Sequence, residues 1–220
     1  MSEEQKPKKK EMGCGCLTII AVVILLGIVG SLFGGGDKET KTSPPEPTSS
    51  QKQAYIDWPT AEITEQNIRS ALSGEAPANP ISKDLKFPEN ITQISIENHA
   101  KEGQKSILIY YKADTAWDET DFVKRVGGTA IVAASILFQN PKIEQLGIFA
   151  QADMTDQYGK TSTEVVTKIV LTRDLAQKVD WKGLAERHVT DPGNIYRIAD
   201  NYNIHLGILN KVKTDEVRLR

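Results

Sequence analysis

Cysteine is scarce in this chain, and its placement matters more than its number. There are two, Cys14 and Cys16, and none in the 204 residues that follow. A disulfide framework is therefore excluded for everything beyond residue 16, and that part must fold on its apolar core. Structural zinc is equally poorly served, since such sites use about four N or S ligands and only His99, His188 and His205 remain to supply them. Both cysteines precede the long apolar run, whereas a lipoprotein cysteine follows it. They read as small residues spaced by glycine at the inner end of a membrane helix, with S-acylation as the functional alternative.

An excess of positive charge is also missing. With 27 Lys and Arg against 29 Asp and Glu the net charge is -2, and the basic face that nucleic acid requires is not expected. No Ser or Cys stands in a nucleophile motif near a histidine, and no motif names a cofactor.

Charge of either sign disappears between Glu11 and Asp37. From Leu17 to Phe33 nearly every side chain is apolar, close to the roughly 20 residues a helix needs to cross about 30 Å of hydrocarbon. The core is longer than the roughly 7–15 residues of a cleavable signal, so a retained anchor is expected over residues 12–36, with a cleaved signal as the alternative. Lys6, Lys8, Lys9 and Lys10 crowd the N-terminal flank and only Lys38 and Lys41 the other, which holds residues 1–11 in the cytoplasm and the C-terminal part outside. Gly27 and Ser31 are four apart on one helical face, a small-residue pattern that leaves self-association of the helix open. Residues 37–53, rich in Pro, Ser, Thr and charge, form a linker that biases toward extended conformations.

The remaining residues, 54–220, carry the signals of an α+β domain with its core at about 90–190. Thr64 caps a short helix stopped by Gly74, and prolines at 77, 80 and 88 keep the next stretch irregular. ITQISIEN and KSILIYYKAD read as two strands joined by a turn at Gly103. WDETDFVKRVGGTAIVAASILFQNP reads as a helix of about five turns, capped by Asp118 or Thr120. Its uncharged run is about 13 residues, too short for a second crossing; Gly127 and Gly128 within it imply a close approach to the sheet or a kink. KIEQLGIFAQADM and TEVVTKIVLT form a second hairpin around Tyr158-Gly159, followed by a helix from Thr172 through Trp181, with Trp181 as a core plug, and by a weaker terminal segment after Asp191-Pro192-Gly193. Two hairpins and a covering helix predict a two-layer domain with an antiparallel sheet and a ββαββ core.

Candidate sites are few. Asp114, Asp118, Glu119 and Asp121 beside Trp117 do not have calcium-loop spacing and fit the favourable charge at a helix N-terminus. Asp153 and Asp156 fit a hairpin turn, and Asn90-Ile91-Thr92 matches a glycosylation triplet. On a strand, Tyr110 and Tyr111 point to opposite faces, so one lies in the core; with Trp117 and Phe149 they make the possible binding surface Tyr110, Tyr111, Trp117 and Phe149, unless a terminal helix covers it.

The tail and anchor KPKKKEMGCGCLTIIAVVILLGIVG, the linker, and the run SILIYYKAD…WDETDF…IFAQADMTDQYGK…TKIVLTRDLAQKVDW resemble uncharacterised envelope proteins of Gram-positive bacteria. In these a lysine-rich start and a single membrane helix, or a lipoprotein signal, precede a small exported domain. The resemblance implies a cell-envelope location and a shared domain, and brings no active-site residues with it. Two functions follow as expectations: a membrane-anchored binding or assembly module, with the lipid bilayer and envelope proteins as partners, or an envelope hydrolase whose site assembles only in the fold.

Overall fold

Period-two apolar patterning becomes strand and the long apolar run becomes helix in the computed structural model of the chain, which describes residues 56–73, 81 and 87–219. All of these belong to one unit, Gln51–Arg220. The expected tail, membrane helix and linker, the Gly74 helix stop, and prolines 77 and 80 lie outside the described residues. Among the described residues no helix is long and apolar enough to cross a membrane.

In chain order the elements are α1 (Glu65–Leu72), β1 (Ile91–Asn98), β2 (Lys105–Lys112), α2 (Glu119–Leu137), β3 (Ile143–Thr155), β4 (Thr161–Thr172), α3 (Arg173–Ala176), α4 (Trp181–His188), α5 (Asn194–Ile198), β5 (Asn201–Ile204) and α6 (Leu206–Leu209). Thr64 caps α1 and Asp118 caps α2, each accepting a backbone N–H three residues on. Gly103 and Gly159 take positive φ in the two hairpin turns, where a side chain would be strained.

The five strands form one sheet in sequence order, β1-β2-β3-β4-β5. It is mixed, which corrects the expected antiparallel sheet: β2 and β3 pair in parallel, and every other neighbour pair is antiparallel. The cause is α2. A helix that covers the sheet returns the chain to the end where it started, so the strand after it enters in the same direction as the strand before it. Two further readings also change. The single helix expected after Thr172 divides, because Asp180 caps a new one at Trp181. The terminal segment contains β5, which pairs Asn201–Ile204 with Thr167–Val170; half its residues are asparagine, so its strand character comes from pairing with β4.

One sheet face is buried. Ile107, Ile109, Tyr111, Leu146, Ile148, Ala150, Thr167, Ile169 and Leu171 lie on it, each at most 1 % exposed, and α2 packs over β3 and β4 while α1, α4 and α5 pack on α2. Gly127 explains how close they come. A Cβ there would meet His188 Cε1 and Ile195 Cγ2 at 3.0 Å and Tyr196 Cε2 at 3.2 Å, so the close approach implied by the sequence is made with α4 and α5 rather than with the sheet.

The ends of α2 are satisfied by distant residues. Trp58 Nε1 donates to Leu137 O at 3.2 Å, and Asn140 Nδ2 donates to the Trp58 and Ala61 carbonyls. The Arg173 guanidinium donates to the Phe138, Asn140 and Ile143 carbonyls, placing a cation at the negative end of the helix. At the other end Lys211 pairs with Glu119, Lys213 with Asp118, and Lys124 with Glu216. The C-terminal segment is thereby bound to the first turns of α2.

Two substitutions in the packing around α2 have opposite expected signs. Gly127→Val overfills the α2–α4–α5 contact and should destabilise by about 1–3 kcal/mol. Thr167 is fully buried with a hydroxyl that has no hydrogen-bond partner among the described residues, and Thr167→Val should stabilise by about 1 kcal/mol. Urea unfolding of both variants checks this; a stabilised Gly127→Val would contradict the packing, and a destabilised Thr167→Val the unsatisfied hydroxyl.

Candidate binding surfaces

The four residues of the possible binding surface do not share one place. Tyr111 is 1 % exposed and sits in the core against Phe87, ring centroids 5.6 Å apart. Burial pushes its ionisation well above the usual tyrosine range, against a smaller opposing influence from Thr129 of α2. Trp117 is 92 % exposed in the turn before α2. Tyr110 and Phe149 do meet: they are register partners on β2 and β3, edge to face at 4.7 Å, on the sheet face opposite α2. Of the helices, α1, α4 and α5 pack on α2 and so do not cover that face.

This open face has an apolar centre. Leu108, Tyr110, Phe149 and Val170 are half-buried there, and Gly147 lies among them: a Cβ on it would meet Leu108 Cδ2 at 2.9 Å and Phe149 Cε1 and Cζ at 3.3 Å. The bare glycine lets both side chains lie down on the sheet. Lys168 stands 5.8 Å from the centre of the Phe149 ring. Polar side chains surround the patch, among them Gln93, Ser95, Gln145 and Asn201, with Lys112 paired to Asp153 at one end.

A second site lies on the other side of the molecule. A cavity of about 900 Å³ opens where the end of β2, the segment leading into β1, the first half of α2, the His188–Pro192 turn and the Asp215–Glu216 segment come together. Its apolar lining is Phe87, Pro88, Tyr111, Phe122, Val126 and Pro192, and charge is supplied by Glu89, Asp114, Lys124, Arg125, Asp215 and Glu216. Both cations are already paired, Lys124 with Glu216 and Arg125 with Asp121 at 2.8 Å. The Lys124 ammonium holds the Glu216 carboxyl below the usual carboxylate range. Such a volume, walled by apolar side chains and by charged groups in equal measure, falls in the size range of small-molecule sites. Of the four candidate residues only Tyr111 lines it. The others that do come from five separate stretches of chain, and no local spacing in the sequence announces them.

The histidines have structural partners. His188 is buried, with Nε2 2.9 Å from Lys124 O and Nδ1 3.2 Å from Asn194 Oδ1. His99 Nδ1 accepts from Lys101 N, and His205 Nδ1 accepts from Gly207 N. The acidic residues behave likewise. Asp118 caps α2, and the N–H of Asp121 lowers its pKa. Lys211 lowers that of Glu119, and Lys112 and Thr163 lower that of Asp153. Asp156 accepts the Tyr158 and Lys160 N–H groups in its turn. Among the described residues no group of three or more His, Cys, Asp or Glu is placed to hold a metal ion. Trp181, expected as a core plug, is half-buried and packs against the core.

Comparison with protein-family models, with curated proteins and with solved structures finds no match to this chain.

The two adjacent tyrosines separate the faces experimentally. Tyr111→Ala should cost about 3–5 kcal/mol, as truncation of a buried aromatic does, while Tyr110→Ala should cost under about 1 kcal/mol. Denaturation midpoints of the two variants read this directly, and equal losses would contradict an open face at Tyr110.

Proposed function

We propose that this chain is a membrane-anchored binding module of a Gram-positive cell envelope, held by residues 12–36 with its α+β domain outside, and that the domain takes an amphipathic small molecule or peptide end into the cavity beside α2. The cavity carries this reading. Its aromatic and aliphatic lining suits an apolar body, and the charged groups at Asp114, Lys124, Arg125 and Glu216 suit a polar end left near solvent. The run without charge between Glu11 and Asp37 supports the anchor, and the lysines before it support the orientation. Binding rather than acid–base chemistry is favoured because His188, the histidine at the cavity, has both ring nitrogens facing structural oxygens.

The test uses the full chain in lipid nanodiscs with labelled valine methyls, titrated with indole, benzoate and phenethylamine, which share an apolar ring and differ in charge. Saturable shifts at the Val126 and Val189 methyls, abolished by Thr190→Trp at the cavity edge, are expected. Shifts that do not saturate, or that survive Thr190→Trp, would sink the cavity as the site. The same chain with a C-terminal tag should lose the tag when intact cells are treated with protease; full-length protection would reverse the orientation.

A further inference from the structure

The open face of the sheet is a separate matter from the cavity, and it has the anatomy of an interface between copies. Apolar side chains occupy the middle, charge stands at the margins, and a bare glycine keeps the middle flat. We propose that this face binds a second copy of the same chain, sheet against sheet, about a two-fold axis.

The size is sufficient. Four strands of at least eight residues and the four-residue β5, about 4.8 Å apart and rising about 3.3 Å per residue, present roughly 600 Å² per copy, or about 1,200 Å² for the pair, the lower end of specific interfaces.

Charge placement selects the copy as occupant. Glu97 stands on β1 and Lys168 on β4, both exposed. Following the register, Glu97 lies level with Ser106 and Gln145, and Lys168 level with Phe149, Tyr110 and Gln93. The two charges thus flank the apolar patch on a diagonal, about 14 Å apart across the strands and about 13 Å along them. The midpoint between them falls at Leu108 and Gly147, the centre of the apolar patch. A two-fold axis through that midpoint, lying between the sheets and perpendicular to the Glu97–Lys168 diagonal, sets each Glu97 opposite the Lys168 of the other copy. The strands then cross near a right angle, one of the two ways sheets pack face to face. One acid and one base from each copy thereby make two ion pairs, as an isologous interface requires, while Lys112 and Asp153 of each copy are already paired to each other.

Sedimentation velocity of the full chain in detergent, over a range of protein concentrations, tests this. Two copies per particle are expected for the native chain and one for Phe149→Asp, whose side chain lies on the open face. Glu97→Lys and Lys168→Glu should each weaken pairing about tenfold or more, and the double variant E97K/K168E should restore it. Both charges are exposed, so these variants test pairing without touching the core, should Phe149→Asp fail to fold. A native chain with one copy per particle would overturn the proposal. So would pairing that survives Phe149→Asp, which would place the contact elsewhere, or a double variant no better than the singles.

Discussion

The rest of the structure depends on the burial of α2. Fifteen of its residues are buried, so the helix has apolar surface on nearly every side and cannot be satisfied by the sheet alone. It needs β2, β3 and β4 beneath it and α1, α4 and α5 around it. Only one face of the sheet is then consumed, because every described helix that packs on α2 is drawn to the same side. The exposed face at Tyr110 and Phe149 is a consequence of where α2 lies.

The same helix creates the cavity. Its first half must leave room for the residues that satisfy its neighbours. Tyr196 donates its hydroxyl to Val123 O at 2.7 Å and His188 sits against Lys124 O, made possible by the bare Gly127 one turn on. These contacts hold α4 and α5 against one flank of α2, while Phe87 and the end of β2 stand against another. Between the two flanks the packing does not close, and the C-terminal segment, tied by Lys213 and Glu216, forms the remaining wall. Tyr111 belongs to both worlds: it is core by burial and cavity lining by position.

Local elements were legible in the sequence wherever their cause is local. Thr64 as one cap and Asp118 or Thr120 as another, Gly103 and Gly159 as turn residues, and the apolar alternation of β2, β3 and β4 all depend on neighbours a few residues away; the structure selects Asp118 over Thr120. The parallel β2–β3 pair was not legible because strand direction is set by how a 19-residue helix returns the chain, which periodicity does not encode. β5 escaped because its asparagines carry no strand preference without β4 beside them. Of the candidate surface, Tyr110 and Phe149 were found by alternation and pair across strands, whereas Tyr111 took the opposite face, as alternation itself requires of one of two adjacent tyrosines. Trp117 stands apart. The cavity was invisible because its walls come from stretches as distant as Phe87 and Glu216.

The measurement that tests the central role of α2 most directly is native-state hydrogen exchange on the full chain. The amides of Ala130 to Ala134, buried on all sides, should be among the slowest to exchange, opening only with global unfolding, and those of β1 and β5 at the sheet edges should exchange sooner. Amides in the middle of α2 that exchanged before those of β1 would contradict the dependence of the whole domain on that helix.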